Sequence, residues 1–176
     1  GSLIKVDYKT LIPIAAAIEC IHAYSLIHDD LPCMDNDSLR RGKPSTHVKF
    51  GESTAVLAGN SLLTMAFEIL TNSSLKINNK TKIILIKKLT ECSGHLGIAG
   101  GQFLDLNFEK KKILKKRIID MEIKKTGKLF SFCCMVPVII KNKTVKEIKF
   151  FEKIGSDIGL LFQISDDLID FKGSSK

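Results

Sequence analysis

The residues best suited to chemistry form one short acidic stretch. Four aspartates fall within nine residues, and two adjacent arginines follow them: Asp29, Asp30, Asp35, Asp37, Arg40 and Arg41. Carboxylate oxygens suit Mg²⁺, which usually takes one or two carboxylates and completes its shell with water and substrate phosphate. Arginine side chains match phosphate oxygens well. The stretch therefore predicts a site for metal and phosphate.

The segment before this stretch must position its first two aspartates. Residues 14–27 are mostly apolar and typical of a buried helix. Pro32 cannot donate a helical N–H, so the helix is expected to end near Asp30, with Asp35 folded back from the irregular segment beyond. Carboxylates are unfavourable at the negative end of the helix dipole. Their clustering there predicts a cation that neutralises them.

A second acidic group lies near the end of the chain, at Asp166, Asp167 and Asp170. On a helix, Asp166 and Asp170 share a face, with Gln163 one turn earlier. Like charges at this spacing are unfavourable alone, and polar groups on an apolar helix are expected to be paired or metal-bound. A solvated helix face is the alternative for this group by itself. Two such groups in one helical chain, each headed by Asp-Asp, favour metal binding.

The rest of the pattern predicts an all-α protein of long helices. Apolar residues recur at helical spacing, glycines and prolines number only 12 and 4, and the 176 residues form one expected domain, 1–176. Thr81 is expected to cap the third helix, and Gly97, Gly100 and Gly101 to interrupt it. The predicted helices span residues 11–28, 53–71, 81–96, 103–108, 117–140 and 144–171.

Composition argues against several other classes of protein. The net charge is +8, but the lysines are interleaved with isoleucine and asparagine, and there is no tryptophan, so solvated helix faces are favoured over nucleic-acid binding. The chain has no run of eighteen apolar residues and no signal-peptide pattern at its start, so membrane insertion is not expected. Five cysteines without a Cys-x-x-Cys pair fit a reducing cytoplasm.

Four ordered motifs resemble those of the trans-isoprenyl diphosphate synthases, and most of all the bacterial farnesyl diphosphate synthases. The stretch 28–42, ending in Arg-Arg-Gly, resembles the first aspartate-rich motif of that family, and 162–170 resembles the second. Residues 100–105 (Gly-Gly-Gln-Phe-Leu-Asp) and 125–127 (Lys-Thr-Gly) match its intermediate motifs. Segments found in the family upstream of the first motif and beyond the second have no counterpart. The chain is therefore expected to be the middle of a longer enzyme.

The resemblance implies an isoprenoid synthase-type helical bundle with a central cavity that carries both acidic motifs. It also implies several Mg²⁺ ions per site. The implied metal ligands are Asp29, Asp35 and Asp166, supported by Asp30, Asp167 and Asp170.

The resemblance implies two substrates, isopentenyl diphosphate and a five- or ten-carbon allylic diphosphate. Ionisation, condensation and proton loss would give farnesyl diphosphate, in a cytoplasmic enzyme that is expected to be a homodimer.

The implied substrate-binding residues are Arg40 and Lys125 for the allylic diphosphate, Arg41 and His22 for isopentenyl diphosphate, and Thr126 and Gln163 for the allylic cation. Lys125, Thr126 and Gln163 are also the implied catalytic residues. Taken alone, His22 and the Thr126 hydroxyl are more often structural, and Gln102 and Asp105 are expected to support the site by hydrogen bonding.

Tyr24 is the candidate for control of product length. It lies five residues before Asp29, about one and a half helical turns, so its ring is placed to block a growing chain. With the extra residues Pro32-Cys33 inside the first motif, it resembles the fifteen-carbon producers. Plant-type geranylgeranyl diphosphate synthases share the motif wording but usually lack a large aromatic residue at that position.

Three alternatives stay open beside this interpretation. A longer-chain synthase would use the same chemistry with a deeper pocket, and a non-catalytic subunit of the same family would usually carry degraded aspartate motifs. A class I terpene cyclase usually lacks the second motif. A calcium loop beginning at Asp35 is excluded, because Arg40 stands where the turn glycine belongs.

Overall fold

The structure of residues 1–109 and 111–173 is a computed structural model, in which the side chains of residues 170–173 are not described. Apart from one short hairpin and the connecting turns, the described residues are helical, which confirms the all-α prediction. A 3₁₀ turn at Ser2–Ile4 comes first. The elements that follow are α1 (Tyr8–Asp29), β1 (Leu39–Arg40), β2 (Lys43–Pro44), α2 (Thr46–Phe50), α3 (Glu52–Thr71), α4 (Asn79–Ser93), α5 (Ile98–Phe108), α6 (Lys115–Glu122), a π-helical turn (Ile123–Gly127), α7 (Lys128–Ile140) and α8 (Val145–Gly173).

The chain divides into two compact units, each of which carries one acidic motif. The N-terminal unit is Asp7–Ile77, and the C-terminal unit is Gly1–Val6 with Asn78–Lys176. In the N-terminal unit, α1 packs along α3. The buried residues of α1 recur every three or four positions, as one helix face requires: Ile14, Ala17, Ile21 and Tyr24. The facing positions of α3 are mostly small, which allows close approach of the two helices: Ala55, Gly59 and Ala66.

Helix α7 forms the core of the C-terminal unit, between α4 and α8. It is buried almost throughout: Phe132, Met135, Val136, Val138 and Ile139 are each at most 3% exposed. Two glycines bring α8 very close to it. A Cβ atom at Gly155 would lie 2.5 Å from the carbonyl oxygen of Phe130, and one at Gly159 would lie 2.7 Å from Cα of Gly127. This close packing fixes the α8 backbone against the π-helical turn.

The helix boundaries near positions 78 and 100 differ from the prediction. Asn78, not Thr81, caps α4, because the Asn78 side chain accepts a hydrogen bond of 2.8 Å from the Thr81 N–H. Gly100 and Gly101 lie inside α5 and do not interrupt a helix. They are needed for close approach: a Cβ at Gly100 would lie 1.9 Å from the carbonyl oxygen of His95, and one at Gly101 would lie 2.3 Å from the Lys125 nitrogen.

The segment predicted as one helix over 117–140 is three consecutive helical pieces. The π-helical turn separates α6 from α7, and Pro137 lies inside α7 as the prediction allowed.

The apolar character of two long helices, α1 and α3, also differs from the expectation that no segment is suited to a membrane. By length and composition alone, α1 and α3 could each cross a membrane. Neither helix contains an uninterrupted run of eighteen apolar residues, because polar residues are scattered along both, so the sequence criterion did not select them. This is weak support for a membrane span, since core helices of soluble proteins have the same composition.

Gly101→Ala is expected to lower the free energy of unfolding by about 2 kcal/mol. The new Cβ would lie 2.3 Å from the nitrogen and 2.5 Å from Cα of Lys125, and backbone atoms cannot rotate away. Chemical denaturation of the two proteins measures the difference. Gly127→Ala is the matched control, because its Cβ would meet no described atom nearer than 3.4 Å and its backbone is helical. A larger loss for Gly127→Ala than for Gly101→Ala would contradict this packing.

Candidate active site

The first acidic segment folds back onto the end of α1, as predicted. Helix α1 ends at Asp29, and the N–H of Asp35 donates to the carbonyl oxygen of Asp29 at 2.9 Å. The N–H groups of Met34 and Asn36 donate to the carbonyl oxygen of Leu31 at 2.9 and 3.1 Å, and Asn36 has a φ of +54°, which asparagine tolerates. The backbones of Asp29 and Asp35 are thus brought together at the negative end of the helix dipole.

Asp30 points away from solvent and binds Arg40. It is 2% exposed, and its Oδ1 accepts hydrogen bonds from Nε of Arg40 at 3.0 Å and from Nη2. Arg40 Nη2 also lies 3.3 Å from Oδ2 of Asp37. The hydrogen bond to Asp30 raises the pKa of the Arg40 guanidinium. These contacts suit Asp30 to a supporting role, in which it holds Arg40 beside the acidic segment.

A tight hairpin sets the two arginines apart. Strands β1 and β2 are joined by Arg41 and Gly42, whose φ angles are +52° and +74°. Two positive φ angles in a two-residue loop are typical of a type I′ turn. Arg40 is half-buried and Arg41 is exposed. Sequence reasoning missed this hairpin, for which the glycine at the second loop position was the available signal.

Tyr24 is buried on α1, and its ring meets the ring of His28 edge-on, with centroids 5.7 Å apart at 85°. Burial, and secondarily the charge of Asp29, raises the pKa of the Tyr24 phenol. Nε2 of His28 lies 3.1 Å from the carbonyl oxygen of Val56 on α3, which gives this histidine a structural contact. His22 is half-buried on the same helix, α1.

The π-helical turn carries Lys125 and Thr126 in the C-terminal unit. Its N–H bond from Lys128 to the carbonyl of Ile123 spans five residues, so the turn is wider than an α-helical one. Nζ of Lys125 donates to Oδ2 of Asp105 at 2.6 Å. Asp105 therefore makes a hydrogen bond of the kind expected from the sequence. Wide turns of this kind often occur at functional sites, but nothing in the sequence predicted this one.

Three side chains join the π-helical turn to the second acidic motif. The Thr126 hydroxyl donates to Oε1 of Gln163 at 2.9 Å, and Nε2 of Gln163 donates to Oδ1 of Asp167 at 2.9 Å. The Gln163 amide is thus held in one orientation by two partners. Its carbonyl oxygen accepts from the Thr126 hydroxyl, while its NH₂ group donates to the Asp167 carboxylate. The structure therefore brings together three of the predicted site residues.

Asp166 and Asp167 are both exposed on α8. Apolar neighbours on the same stretch are exposed too, with Phe162 at 55% and Leu168 at 55%. Exposure therefore does not distinguish a metal-binding face from a solvated one. The side chain of Asp170, the last member of the motif, lies outside the described residues.

Glu122 lies near three of the candidate site residues, Asp105, Lys125 and Asp167, and sequence reasoning did not select it. It is 9% exposed at the end of α6, and its Oε2 atom accepts no hydrogen bond from any described residue. Burial, followed by the charges of Asp167 and Asp105, raises its pKa to about 7, against a lowering by Lys125. The available signal was an acidic residue between two apolar ones, three positions before Lys125.

The parent protein is expected to lose stability as the pH rises from about 4.5 to 7. Glu122→Gln is expected to abolish this pH-dependent loss. The unfolded chain releases this proton near 4.5, whereas the folded protein keeps it to about 7, so ionisation favours unfolding across that interval. At pH 8 the variant should be more stable by up to about 3 kcal/mol. Thermal unfolding at several pH values without added divalent cation measures this. Glu109→Gln, at an exposed position, is the control; an equal change in both variants would contradict the prediction.

The residues present suit Mg²⁺ by their donor chemistry. Both motifs offer carboxylate oxygens, and Mg²⁺ commonly takes one or two of these together with substrate phosphate oxygens. Among the described side chains, those of residues 1–109 and 111–169, no group of three or more metal-binding residues is preassembled.

Comparison with known proteins places these motifs in a family. The polyprenyl synthetase family model matches residues 2–176. The farnesyl diphosphate synthase of Bacillus subtilis is 42% identical over 169 residues, which cover 96% of this chain and 57% of the relative.

Two solved structures are similar in fold as well as sequence. An apo FPP/GFPP synthase from Zymomonas mobilis superposes with a TM-score of 0.92 at 43% identity, covering 96% of this chain and 62% of the other. A Helicobacter pylori geranyltransferase complexed with magnesium and isoprenyl diphosphate has a TM-score of 0.88 at 38% identity, covering 95% and 57%. The chain thus spans about three fifths of the length of the relatives it matches.

The fold expected from the resemblance is therefore confirmed: the structural neighbours are isoprenoid synthase-type helical proteins. The family match extends over the helices that carry both acidic motifs, the arginine hairpin and the π-helical turn. By sequence and by fold, this chain belongs to the polyprenyl synthetase family.

Proposed function

We propose that this chain forms part of a prenyltransferase that condenses isopentenyl diphosphate with an allylic diphosphate to give farnesyl diphosphate. The observation that carries this proposal is the hydrogen-bonded series Thr126, Gln163 and Asp167. It links oxygen dipoles suited to a carbocation with a carboxylate suited to a metal-bound diphosphate. The 42% identity to a farnesyl diphosphate synthase supports the product assignment.

The acidic residues would hold Mg²⁺ and, with it, the allylic diphosphate. Mg²⁺, when bound, would neutralise the charge that develops on the leaving diphosphate. We assign the principal ligand roles to Asp29, Asp35 and Asp166, with Asp167 and Asp170 assisting. Asp30 would act through Arg40, since its carboxylate is buried against that guanidinium. The magnesium and isoprenyl diphosphate bound to the Helicobacter pylori relative support this assignment.

The cationic side chains would divide between the two substrates. Arg40 and Lys125 would bind the allylic diphosphate, each held in place by a carboxylate, Asp30 and Asp105 respectively. Arg41, exposed at the hairpin tip, would reach isopentenyl diphosphate, with His22 contributing from α1.

The oxygens of Thr126 and Gln163 would face the allylic cation. The Thr126 proton is committed to Gln163, so the lone pairs of the Thr126 oxygen remain for a positive charge. Ether-like and amide oxygens of this kind stabilise a cation electrostatically without attacking it as a charged nucleophile would. Isopentenyl diphosphate attacks the cation through its double bond, and a proton then leaves for the released diphosphate.

Tyr24 would close the pocket at the length of a fifteen-carbon chain, because its buried ring lies one and a half turns before Asp29 on α1. A longer-chain synthase is the second candidate. The observation that favours it is the similarity to the Zymomonas mobilis relative, an FPP/GFPP synthase.

We further propose that the enzyme is a cytoplasmic homodimer.

A condensation assay tests the proposal. The natural full-length protein that contains this chain is incubated with Mg²⁺, labelled isopentenyl diphosphate and either dimethylallyl or geranyl diphosphate, and the products are separated by chromatography. The expected result is a fifteen-carbon product that disappears when EDTA is added. A twenty-carbon product would favour the second candidate. Failure to condense any starter would place the chain among non-catalytic subunits.

A further inference from the structure

One glycine on α3 shapes the surroundings of Tyr24. Gly59 is buried in the N-terminal unit, and the imidazole of His28 occupies the space where a side chain at position 59 would stand. A Cβ at Gly59 would lie 2.1 Å from Nε2, 2.4 Å from Cδ2 and 2.8 Å from Cε1 of His28. The absence of a side chain on α3 is therefore what admits the ring.

A hydrogen bond fixes the imidazole in that space. Nε2 of His28 lies 3.1 Å from the carbonyl oxygen of Val56, three residues before Gly59 on the same helix. The ring is thus held at one end by α3 and cannot tilt without losing this contact. A bond of this kind contributes about 1 kcal/mol, enough to select one side-chain orientation.

The fixed imidazole in turn contacts the ring of Tyr24. The two rings stand edge to face at 85°, with centroids 5.7 Å apart, one helical turn from each other on α1. Aromatic contacts in this geometry contribute about 0.5–1.5 kcal/mol beyond the area they bury. The orientation of Tyr24 therefore depends on His28, whose place depends on Gly59.

We propose that Gly59 and His28 are positioning residues that set the orientation of the Tyr24 ring and, through it, the length of the product. The inference rests on the proposed function, in which Tyr24 closes the pocket. Neither residue would touch the reacting atoms. Their effect would appear in the distribution of product lengths and not in the ability to condense the substrates.

Gly59→Ala tests the inference without threatening the fold. The atoms that its Cβ meets belong to a side chain, so His28 moves instead of the helix backbone. We expect the twenty-carbon share of the product to rise about tenfold, the order by which one pocket contact discriminates between chain lengths. Condensation itself should continue. Ser61→Ala, at an exposed position on α3, is the surface control and should keep the parent product.

A double-mutant cycle shows whether His28 transmits the effect. His28→Ala should also lengthen the product, and Gly59→Ala should add nothing further in that background, because the displaced ring is already absent. Independent, additive effects would overturn the inference. Thermal unfolding of each variant identifies loss of fold.

Tyr24→Ala distinguishes failure of the positioning role from failure of the role assigned to Tyr24. A longer product from Tyr24→Ala, with an unchanged product from Gly59→Ala and His28→Ala, would overturn the positioning role and leave the proposed function intact. An unchanged product from all three would overturn both the positioning role and the role of Tyr24. Absence of condensation by the parent protein would overturn the proposed function, and the inference with it.

Discussion

Asp29→Ala is expected to lower kcat/KM for condensation by at least about a hundredfold, the usual loss when an electrostatic stabiliser of the transition state is removed. The residue ends α1, and the backbone of Asp35 folds back onto its carbonyl oxygen. The side chain is not needed for that contact. The variant should still fold, because this backbone contact remains. Steady-state kinetics measure the loss of kcat/KM, and thermal unfolding shows that the variant is folded.

Asp37→Ala is the matched control in the same segment. Asp37 is exposed, and its contact with Arg40 is the longer of that residue's ion pairs, at 3.3 Å. We expect its kcat/KM to stay within about threefold of the parent, as for most exposed ion pairs. Equal losses in the two variants would mean that the segment needs negative charge in general and not a metal ligand at Asp29.

Tyr24→Ala is expected to change the main product from fifteen to twenty carbons. Tyr24 is 8% exposed on α1, so removing its ring leaves space at the position assigned to the pocket floor. The same cavity should cost about 3 kcal/mol of stability. Tyr24→Leu, which leaves a smaller cavity, should give a mixture of products at a smaller cost. Chromatography of the labelled products measures the change.

The protein offers a matched control, since its other tyrosine lies on the same helix. Tyr8 is 74% exposed at the start of α1. Tyr8→Ala should keep the fifteen-carbon product and the parent stability. If Tyr24→Ala also kept that product while remaining folded, another residue would have to close the pocket.

The first acidic motif could be predicted from the sequence because its geometry is local. Pro32 ends the helix, and the seven residues from Asp29 to Asp35 turn back onto its end. The ends of α3 and α8 were also predicted to within about one or two residues, because apolar spacing marks them clearly.

The features that were missed depend on contacts between elements. Gly100 and Gly101 resemble helix breakers in sequence, but close approach to His95 and Lys125 requires them inside α5. The π-helical turn likewise has no specific local signal, since neither its residue types nor its single glycine, Gly127, distinguishes a π-helical turn from an α-helical one. Burial and charges contributed by α5 and α8 raise the pKa of Glu122 to about 7, and these contacts between elements lie beyond the local pattern that marks the residue itself.

The most direct test of the central claim is equilibrium binding of a non-ionisable allylic thiodiphosphate, measured by calorimetry with and without Mg²⁺. The claim is that the acidic motifs hold the diphosphate through the metal. It predicts binding that requires Mg²⁺, weakens at least about tenfold in Asp166→Ala, and is unchanged in Asp157→Ala, an exposed position on the same helix. Equally tight binding without Mg²⁺, or in Asp166→Ala, would contradict it.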